Sequence, residues 1–466
     1  MSNLPRFRRH VLSGVSAAAL IGLASAAAAD TLFTRPAAFV GEVQTAGAEP
    51  GLPVYAGETV VFSGRGFVPG QSVTLMRGTT ALTETPVTAD DKGEFTFDYA
   101  LDAEAEAGLQ PIVVVTTGPD SAGVVEMKVS PKLPLSGENL FEVKSAPVTR
   151  GLYQVAYGAA SDALFVTAAV GRPPVANSSL VKIDPETLEI VAQVSPEPAP
   201  DRADGQPGGV FSVYGIAADD ENGTVWTTNT RQDTVAVYRQ DDLSLVKQFE
   251  PGAVAHARDV VVDEGRDRAF AGAGARNTIE VFDTATMEKV DSIAIASQVR
   301  GEDFGVMSMS YDEEAGQLFT VSLRTPEAAV IDVDSGEVRI IPLPGAVRAS
   351  GIAHDAESGR FFVVSQLSDD LMILDADGAL LHDVPVGAGP LNLVFDPASG
   401  LAIVANRGSG TITAVNAEGE IVANIEGGTY PNHLALTDEG IYAVNKSRGE
   451  NDPNGDRIWH LVPASN

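Results

Sequence analysis

Basic and aromatic side chains recur at one point of a repeated pattern in the C-terminal two-thirds of the sequence, around the start of an apolar run. The set comprises Arg150, Tyr153, Tyr214, His256, Arg258, Arg300, Glu302, Arg348, Asn392, Tyr430, Asn432 and His433. Arginine presents forked donors that fit carboxylates and phosphates, and tyrosine presents a face for stacking. These positions predict a site for an anionic or aromatic ligand. The alternative is that they hydrogen-bond neighbouring repeats and line a water-filled channel.

This group of residues is mostly basic and aromatic, whereas the chain as a whole is strongly acidic. Lys and Arg total 31 against 63 Asp and Glu, which gives a formal net charge of −32. Such a charge explains solubility, and it also suits a cationic partner. It repels phosphate backbones, so it opposes nonspecific binding of nucleic acid.

No residue set matches a known catalytic or metal-binding signature. The chain has no Cys, which excludes a thiolate nucleophile and a Cys-ligated metal. It contains no G-x-S-x-G, P-loop or H-E-x-x-H motif. The acidic loop 450–456 lacks the closing Glu of a calcium loop and is interpreted as a solvated turn. We therefore predict no catalytic residue, no metal and no cofactor.

The elements that would position the basic and aromatic set belong to a repeat that begins near residue 141. Each copy has an apolar run ending in an acidic residue, a short turn and a second apolar run. "YGIAADDENGTVWTTN", "SGIAHDAESGRFFVVS" and "LNLVFDPASGLAIVAN" are three of seven copies. The Asp anchors lie about 41 to 49 residues apart, which suits propeller blades of four strands. The fold class predicted is all-β, a seven-bladed β-propeller over 141–466.

The last copy of the repeat, residues 432–463, has room for only three strands. A ring of blades leaves no exposed end if the missing strand comes from the other end of the repeat region. We expect residues 141–147 to supply it.

Two shorter regions precede the repeat. Residues 30–140 contain strand-like runs, and "GETVVFSGRGFVPGQSVTL" resembles bacterial Ig-like domains, so a small β-sandwich is expected there. Residues 1–29 have a basic start, an Ala-rich apolar run and small residues before Asp30, the pattern of a signal peptide, and the adjacent Arg8 and Arg9 favour the twin-arginine type. We expect a periplasmic monomer with no membrane span in the mature chain.

The segment "LAIVANRGSGTITAVNAEGEIVANIEGGTYPNHLAL" resembles the YVTN-type propeller repeat, with Asn229, Asn406 and Asn445 at its Asn position. The first and last copies are similar to the ends of YncE-like exported propellers. The resemblance implies a periplasmic protein without an established catalytic role, and single-stranded DNA binding is one implied activity. Related YVTN propellers include adhesion modules and a subunit of a quinoprotein amine dehydrogenase.

Three functions follow from these observations. The main expectation is a non-enzymatic periplasmic protein that binds an unknown small ligand or protein partner at the channel mouth. The first alternative is a YncE-like protein that binds single-stranded DNA, with Tyr faces stacking on bases. The second alternative is a propeller enzyme or dehydrogenase subunit.

Overall fold

The computed structural model describes residues 35–49, 51–202 and 204–464. This part of the chain contains strands and three single-turn 3₁₀ helices, and no α-helix was found in it. The 3₁₀ helices are Glu138–Leu140, Thr230–Gln232 and Glu264–Arg266. The expected all-β class is confirmed, and the predicted signal peptide lies outside the described residues.

Nine strands form two sheets before the repeat region, and we call them the N-terminal unit. The strands are β1 (Glu42–Gly47), β2 (Val54–Tyr55), β3 (Thr59–Arg65), β4 (Ser72–Arg77), β5 (Thr80–Ala81), β6 (Val87–Thr88), β7 (Phe95–Ala100), β8 (Gly108–Thr117) and β9 (Ser121–Ser130). One sheet has the order β1-β3-β7, and the other has the order β2-β9-β8-β4-β5 with β6 beside β4. Alternate residues of β3 and β4 are buried, so each sheet turns one face towards a shared core that includes Phe62 and Leu75.

Seven four-stranded antiparallel sheets follow, and each is one blade of a propeller. Blade 1 contains β11 (Leu152–Gly158), β12 (Ala163–Val170), β13 (Asn177–Ile183) and β14 (Ile190–Val194). Blade 2 contains β15 (Ile216–Asp219), β16 (Thr224–Asn229), β17 (Thr234–Arg239) and β18 (Leu245–Gln248). Blade 3 contains β19 (Ala257–Asp263), β20 (Arg268–Ala273), β21 (Thr278–Asp283) and β22 (Glu288–Ala294). Blades 4 and 5 contain β23 (Val306–Asp312), β24 (Gln317–Ser322), β25 (Glu327–Asp332) and β26 (Val338–Pro342); β27 (Ala349–His354), β28 (Phe361–Ser365), β29 (Asp370–Leu374) and β30 (Leu380–Pro385). Blades 6 and 7 contain β31 (Pro390–Asp396), β32 (Leu401–Asn406), β33 (Thr411–Asn416) and β34 (Ile421–Glu426); β35 (Pro431–Thr437), β36 (Gly440–Asn445), β37 (Arg457–Pro463) and β10 (Phe141–Pro147).

The blades close into a ring. The first strand of each blade contacts the first strand of the next, and β35 of blade 7 contacts β11 of blade 1. The outer strand of blade 7 is β10, which pairs antiparallel with β37, with Phe141 opposite Pro463 and Pro147 opposite Arg457. The seven first strands therefore surround one central channel, and the loops that lead into them meet at one mouth.

Aromatic and aliphatic side chains between adjacent blades hold the ring together. Trp226 of blade 2 is fully buried, and its ring centroid lies 5.9 Å from Phe249 and 5.7 Å from Phe282 of blade 3. All six residues of β16 are buried, because the middle strands of a blade are covered on both faces by neighbouring blades.

Asn445 shows why the repeat places Asn at the end of the second strand of a blade. Its side chain is fully buried; it donates to Thr429 O (2.7 Å) and Asn454 O (2.6 Å) and accepts from Arg457 N (3.1 Å) and Trp459 Nε1 (3.0 Å). The side chain thereby ties the mouth loop of blade 7 to its third strand.

Replacing Asn445 with Ala is therefore expected to lower the free energy of unfolding by about 3 kcal/mol, because four buried polar groups lose their partner. Urea denaturation of the full chain measures this change. Asn451→Ala, at an exposed position of the following loop, is the control and should change stability by less than about 0.5 kcal/mol. Similar losses for both variants would contradict the role given to Asn445.

Candidate functional site

A cavity of about 280 Å³ lies at the channel mouth, where the loops into the first strands converge, and we call it the mouth cavity. Seven of the sequence-predicted site residues line it: Tyr153, Tyr214, His256, Arg258, Asn392, Asn432 and His433. Further lining residues that the sequence prediction of the site did not include are Gln154, Gly215, Thr230, Arg231, Asp259, Met307, Ser308, Gln366, Leu391 and Arg407.

Several polar residues that line the mouth cavity form hydrogen bonds between adjacent blades. At the junctions between blades, a polar side chain bonds to the backbone of the next blade's first strand or of the loop leading into it. At 2.6–3.3 Å these bonds join Gln154 to Ile216 N, Thr228 to Arg258 O, Asp259 to Met309 N, Ser350 to Pro390 O, Asn392 to Leu434 N and Asn432 to Tyr153 O. Ser308 makes the corresponding bond to Ser350 O. Asn392 and Asn432 therefore join adjacent blades.

The arginines of the mouth cavity are different, because they lack acidic partners. In the described ranges, Arg231, Arg258 and Arg407 form no salt bridge, although the chain carries twice as many acidic as basic residues. Burial lowers the pKa of Arg258 and Arg407, yet a guanidinium keeps its charge at neutral pH. Asp259, the one carboxyl group among the described lining residues, forms no salt bridge with these arginines and accepts hydrogen bonds from Gln154 and Met309 instead. A partly buried positive charge without an ion-pair partner is costly, so the site is suited to an anion.

Two tyrosines form an aromatic wall beside the arginines. The rings of Tyr153 and Tyr214 meet edge to face, with centroids 4.5 Å apart. The ammonium of Lys446 lies over the Tyr153 ring, 3.3 Å from its centroid. Burial, with the positive charge of Arg407, lowers the pKa of Lys446 to about 7. Lys446 therefore lies behind Tyr153 as a fourth basic group next to the cavity.

His256 is the titratable lining residue best placed for proton transfer. It is half-buried, and burial together with the charges of Arg258 and Arg231 lowers its pKa. The imidazole is therefore neutral at neutral pH and can accept a proton. Its backbone N–H donates to Asp233 Oδ1 at 2.6 Å, which fixes the loop.

His256 also adopts a backbone conformation that favours glycine. Its φ is 53°, in the left-handed region, and the same position before the first strand is Gly151 (φ 84°) in blade 1 and Gly389 (φ 61°) in blade 6. Arg348 (φ 58°) and Tyr430 (φ 52°) hold it in blades 5 and 7. Side chains kept at positions where glycine would be relaxed are typical of functional loops.

This geometry predicts a difference between two variants. The His256→Gly protein should be more stable than the His256→Ala protein by about 1 kcal/mol, because only alanine carries a Cβ into the left-handed region. Chemical denaturation of both proteins measures the difference. Equal stabilities, or a more stable Ala variant, would show that the loop relaxes freely.

His433 and Asp259 also line the mouth cavity, and their side chains make structural hydrogen bonds. The Val155 N–H donates to His433 Nδ1 at 3.4 Å, and burial lowers the pKa of His433 to about 4. Asp259 accepts from Gln154 Nε2 (3.0 Å) and Met309 N (2.9 Å), and burial raises its pKa. These hydrogen bonds occupy the His433 and Asp259 side chains, whereas no hydrogen bond of the His256 side chain is found among the described residues.

The remaining sequence-predicted residues lie outside the lining of the mouth cavity. Arg150 is exposed and pairs with Glu450 at 2.8 Å. Arg300, Glu302 and Arg348 are exposed. Tyr430 lies beneath Arg407, whose guanidinium carbon is 5.1 Å from its ring centroid, so it supports a lining residue.

The acidic loop 450–456 is held by its own backbone. Asp452 accepts from Arg448 N (3.0 Å) and Asn454 N (3.1 Å), and Asp456 accepts from Gly151 N (2.8 Å). Across residues 35–49, 51–202 and 204–464, no group of three or more His, Asp or Glu side chains is arranged to share a metal ion.

The sequence carried a signal for two of the residues that the prediction of the site omitted. Arg231 and Arg407 follow closely after the repeated Asn229 and Asn406, at the turn between the second and third strands. In a propeller these turns lie at the same end as the loops into the first strands, because successive strands are antiparallel. Lys446, directly after Asn445, belongs to the same series.

No helix among the described residues is long and apolar enough to cross a membrane.

No family model and no curated protein matches the chain. Among solved structures, the fold is similar to a catalytically inactive histidine-to-alanine variant of virginiamycin B lyase from Staphylococcus aureus, with quinupristin. The identity is 12%, the TM-score is 0.54, and the match covers 70% of this chain and 100% of that one. A streptogramin B lyase structure matches with 13% identity, a TM-score of 0.54 and coverage of 70% and 98%.

These similarities correct one expectation. The main expectation from the sequence was a non-enzymatic binding protein, because no catalytic motif could be found. Both structures named above are lyases, so that expectation is wrong, and the alternative of a propeller enzyme is favoured. The chain is an all-β protein with a seven-bladed propeller whose fold is shared with these lyases.

Proposed function

We propose that this chain is a propeller enzyme of the lyase type, which acts on a carboxylate-bearing substrate in the mouth cavity. The observation that carries the proposal is a His256 of lowered pKa beside Arg258 in a cavity that Arg407 also lines, where neither arginine forms a salt bridge with a described residue. Supporting it, both similar structures are named as lyases, and one of them is described as inactive after loss of a histidine.

The proposed reaction uses three groups of side chains. Arg258 and Arg407 hold the substrate carboxylate and stabilise the negative charge that develops next to it when the adjacent C–H bond breaks. His256 takes that proton, the C–H electron pair forms a carbon–carbon double bond, and the leaving group departs with its own bonding pair. Tyr153 and Tyr214 pack against a planar or apolar part of the substrate.

The finer sequence-based assignments are part of the proposal. We assign an export signal to residues 1–29 and a periplasmic location to the mature protein, since the basic start and the Ala-rich run fit secretion. We assign an Ig-like identity to the N-terminal unit and YncE-like kinship to the propeller, on the motifs given above. The YncE-like kinship is a proposal about the evolutionary origin of the propeller, whereas the proposed lyase activity rests on the residues of the mouth cavity.

The test is an elimination assay on the full mature chain with two kinds of substrate. One is quinupristin, and the other is a panel of β-substituted carboxylates whose products are conjugated alkenes with strong ultraviolet absorbance. Turnover of at least one of the carboxylates supports the proposal, whereas turnover of quinupristin alone would support a lyase but contradict the carboxylate specificity. Absence of turnover across the panel, together with failure to bind cinnamate, a conjugated carboxylate that resembles such a product, would overturn it.

The arginines give a sharper prediction within this assay. Arg258→Met should lower kcat/KM by about 10- to 150-fold, because a charge-assisted hydrogen bond contributes about 1.5–3 kcal/mol. Arg300→Met is the matched control, because Arg300 is exposed and lies outside the lining. Its kcat/KM should stay within about twofold of the wild type. Equal effects of the two changes would mean that general charge, and not the cavity, attracts the substrate.

A further inference from the structure

The N-terminal unit approaches the mouth cavity at Gly51. The Tyr430 hydroxyl donates to Gly51 O at 3.5 Å, and the Tyr430 ring lies between Arg407 and Arg448, whose guanidinium carbons are 5.1 and 5.2 Å from its centroid. A Cβ at Gly51 would come within 2.3 Å of the Tyr430 hydroxyl oxygen. The N-terminal unit therefore contacts the residue that supports Arg407.

A second contact lies at blades 5 and 6. Lys128 Nζ donates to Gln366 O at 2.9 Å and to Asp369 Oδ1 at 2.6 Å. The Asp369 side chain is only 2% exposed, and the same oxygen accepts from Gly389 N at 2.6 Å. Lys128 thus neutralises a buried carboxylate that joins two mouth loops, and Gln366 lines the mouth cavity.

These contacts differ from ordinary packing between domains. Lys128–Asp369 is the one ion pair between the N-terminal unit and the propeller in the described ranges. The first contact reaches the lining residue Arg407 through Tyr430, and the second reaches the lining residue Gln366 directly. Unpaired, the Asp369 carboxylate would remain buried, so the loop that carries it would have to open.

We propose that the N-terminal unit holds lining residues of the mouth cavity in place, with Gly51 and Lys128 as positioning residues. Gly51 holds Arg407 of blade 6 through Tyr430, and Lys128 holds the loop of Gln366 in the adjacent blade 5. The inference rests on the proposed function for its effect on substrate, but the positioning itself can be measured without substrate.

Two glycine variants test the first contact. Gly51 (φ 82°) and Gly70 (φ 79°) have the same left-handed backbone, but a Cβ at Gly70 would meet nothing within 4 Å. Gly51→Ala and Gly70→Ala therefore share the backbone penalty, and only the first displaces Tyr430. With cinnamate as the probe, we expect Gly51→Ala to weaken binding roughly tenfold, because small displacements of an arginine degrade its fit to a carboxylate. Gly70→Ala should bind like the wild type.

Two lysines test the second contact by hydrogen–deuterium exchange. Lys128→Met should speed exchange in residues 366–370 and 387–390, and Lys128→Arg should restore the wild-type rates, since its charge is kept. Lys132→Met is the control, because Lys132 pairs with Glu58 inside the N-terminal unit at 2.5 Å. It should leave the exchange of both segments unchanged.

The outcomes separate the two proposals. If Lys128→Met and Lys132→Met give the same exchange in these segments, or Gly51→Ala binds cinnamate as Gly70→Ala does, the positioning role is wrong even if the wild type is an active lyase. If the wild type neither binds cinnamate nor eliminates any substrate, the proposed function fails, and the exchange data alone decide whether the N-terminal unit orders the mouth.

Discussion

The His256→Gln enzyme is expected to lose about 10²- to 10⁴-fold in kcat/KM for elimination, the range that a positioned general base contributes. Glutamine keeps much of the size and polarity of histidine but cannot take a proton. His256 lines the mouth cavity beside Arg258, so its loss removes proton transfer without removing the carboxylate site. Cinnamate should therefore still bind the variant within a few-fold of the wild type.

The dependence of kcat/KM on pH is a second test of His256 as the proton acceptor. Burial and the charges of Arg258 and Arg231 lower the pKa of His256, so kcat/KM should rise with pH through a value below the ordinary 6.5 and then level off. Arg258→Met removes one of those charges, so the rise should move to higher pH. His382→Gln, on an exposed strand of blade 5, should change neither rate nor profile. A profile unmoved by Arg258→Met would contradict the proposed electrostatics.

Deleting the strand that closes the ring should have the largest effect on stability. A chain that begins at residue 148 lacks β10. We expect its free energy of unfolding to be more than about 4 kcal/mol lower, and its melting temperature at least about 8 °C lower, than those of a chain that begins at residue 135 and keeps β10. Without β10, the outer edge of β37 loses its backbone hydrogen bonds. Phe141 is also lost from the apolar cluster between blades 6 and 7, and Arg457 loses its hydrogen bonds to Ser145.

A chain that begins at residue 135 is the control for this deletion. It lacks the N-terminal unit, including Lys128, but keeps β10, so the loss of the Lys128–Asp369 pair is common to both shortened chains and only the loss of β10 separates them. Differential scanning calorimetry of the two shortened chains measures the difference. Equal melting temperatures would mean that three strands suffice to close blade 7.

The sequence predicted the propeller because the information is repeated. Each blade carries the same alternation of apolar run, acidic turn and second run, and seven imperfect copies reinforce one another. Asp219 and Asp396 recur for a local reason, since Asp219 accepts from Asn222 N and Asp396 from Ala398 N within their turns. Such turn chemistry can be recognised within a few residues.

The site was predicted less completely, because it depends on which repeated positions turn towards the channel. Asn392 and Asn432 lie in the first strands β31 and β35, where loops were expected, and their amides join neighbouring blades. Arg407 lies on the turn after β32, in the same blade as Asn392, and only the three-dimensional arrangement brings it to the cavity. No spacing along the chain encodes the contact of Lys128 with Asp369, 241 residues away.

The most direct test of the proposed site is the titration of His256 in the substrate-free full chain, followed by nuclear magnetic resonance of its imidazole. The signal is assigned by its disappearance in His256→Gln. We expect a pKa of His256 below the ordinary value of about 6.5, and a higher pKa in Arg258→Met. A pKa at or above 6.5, or one that Arg258→Met leaves in place, would contradict a neutral proton acceptor held among uncompensated arginines.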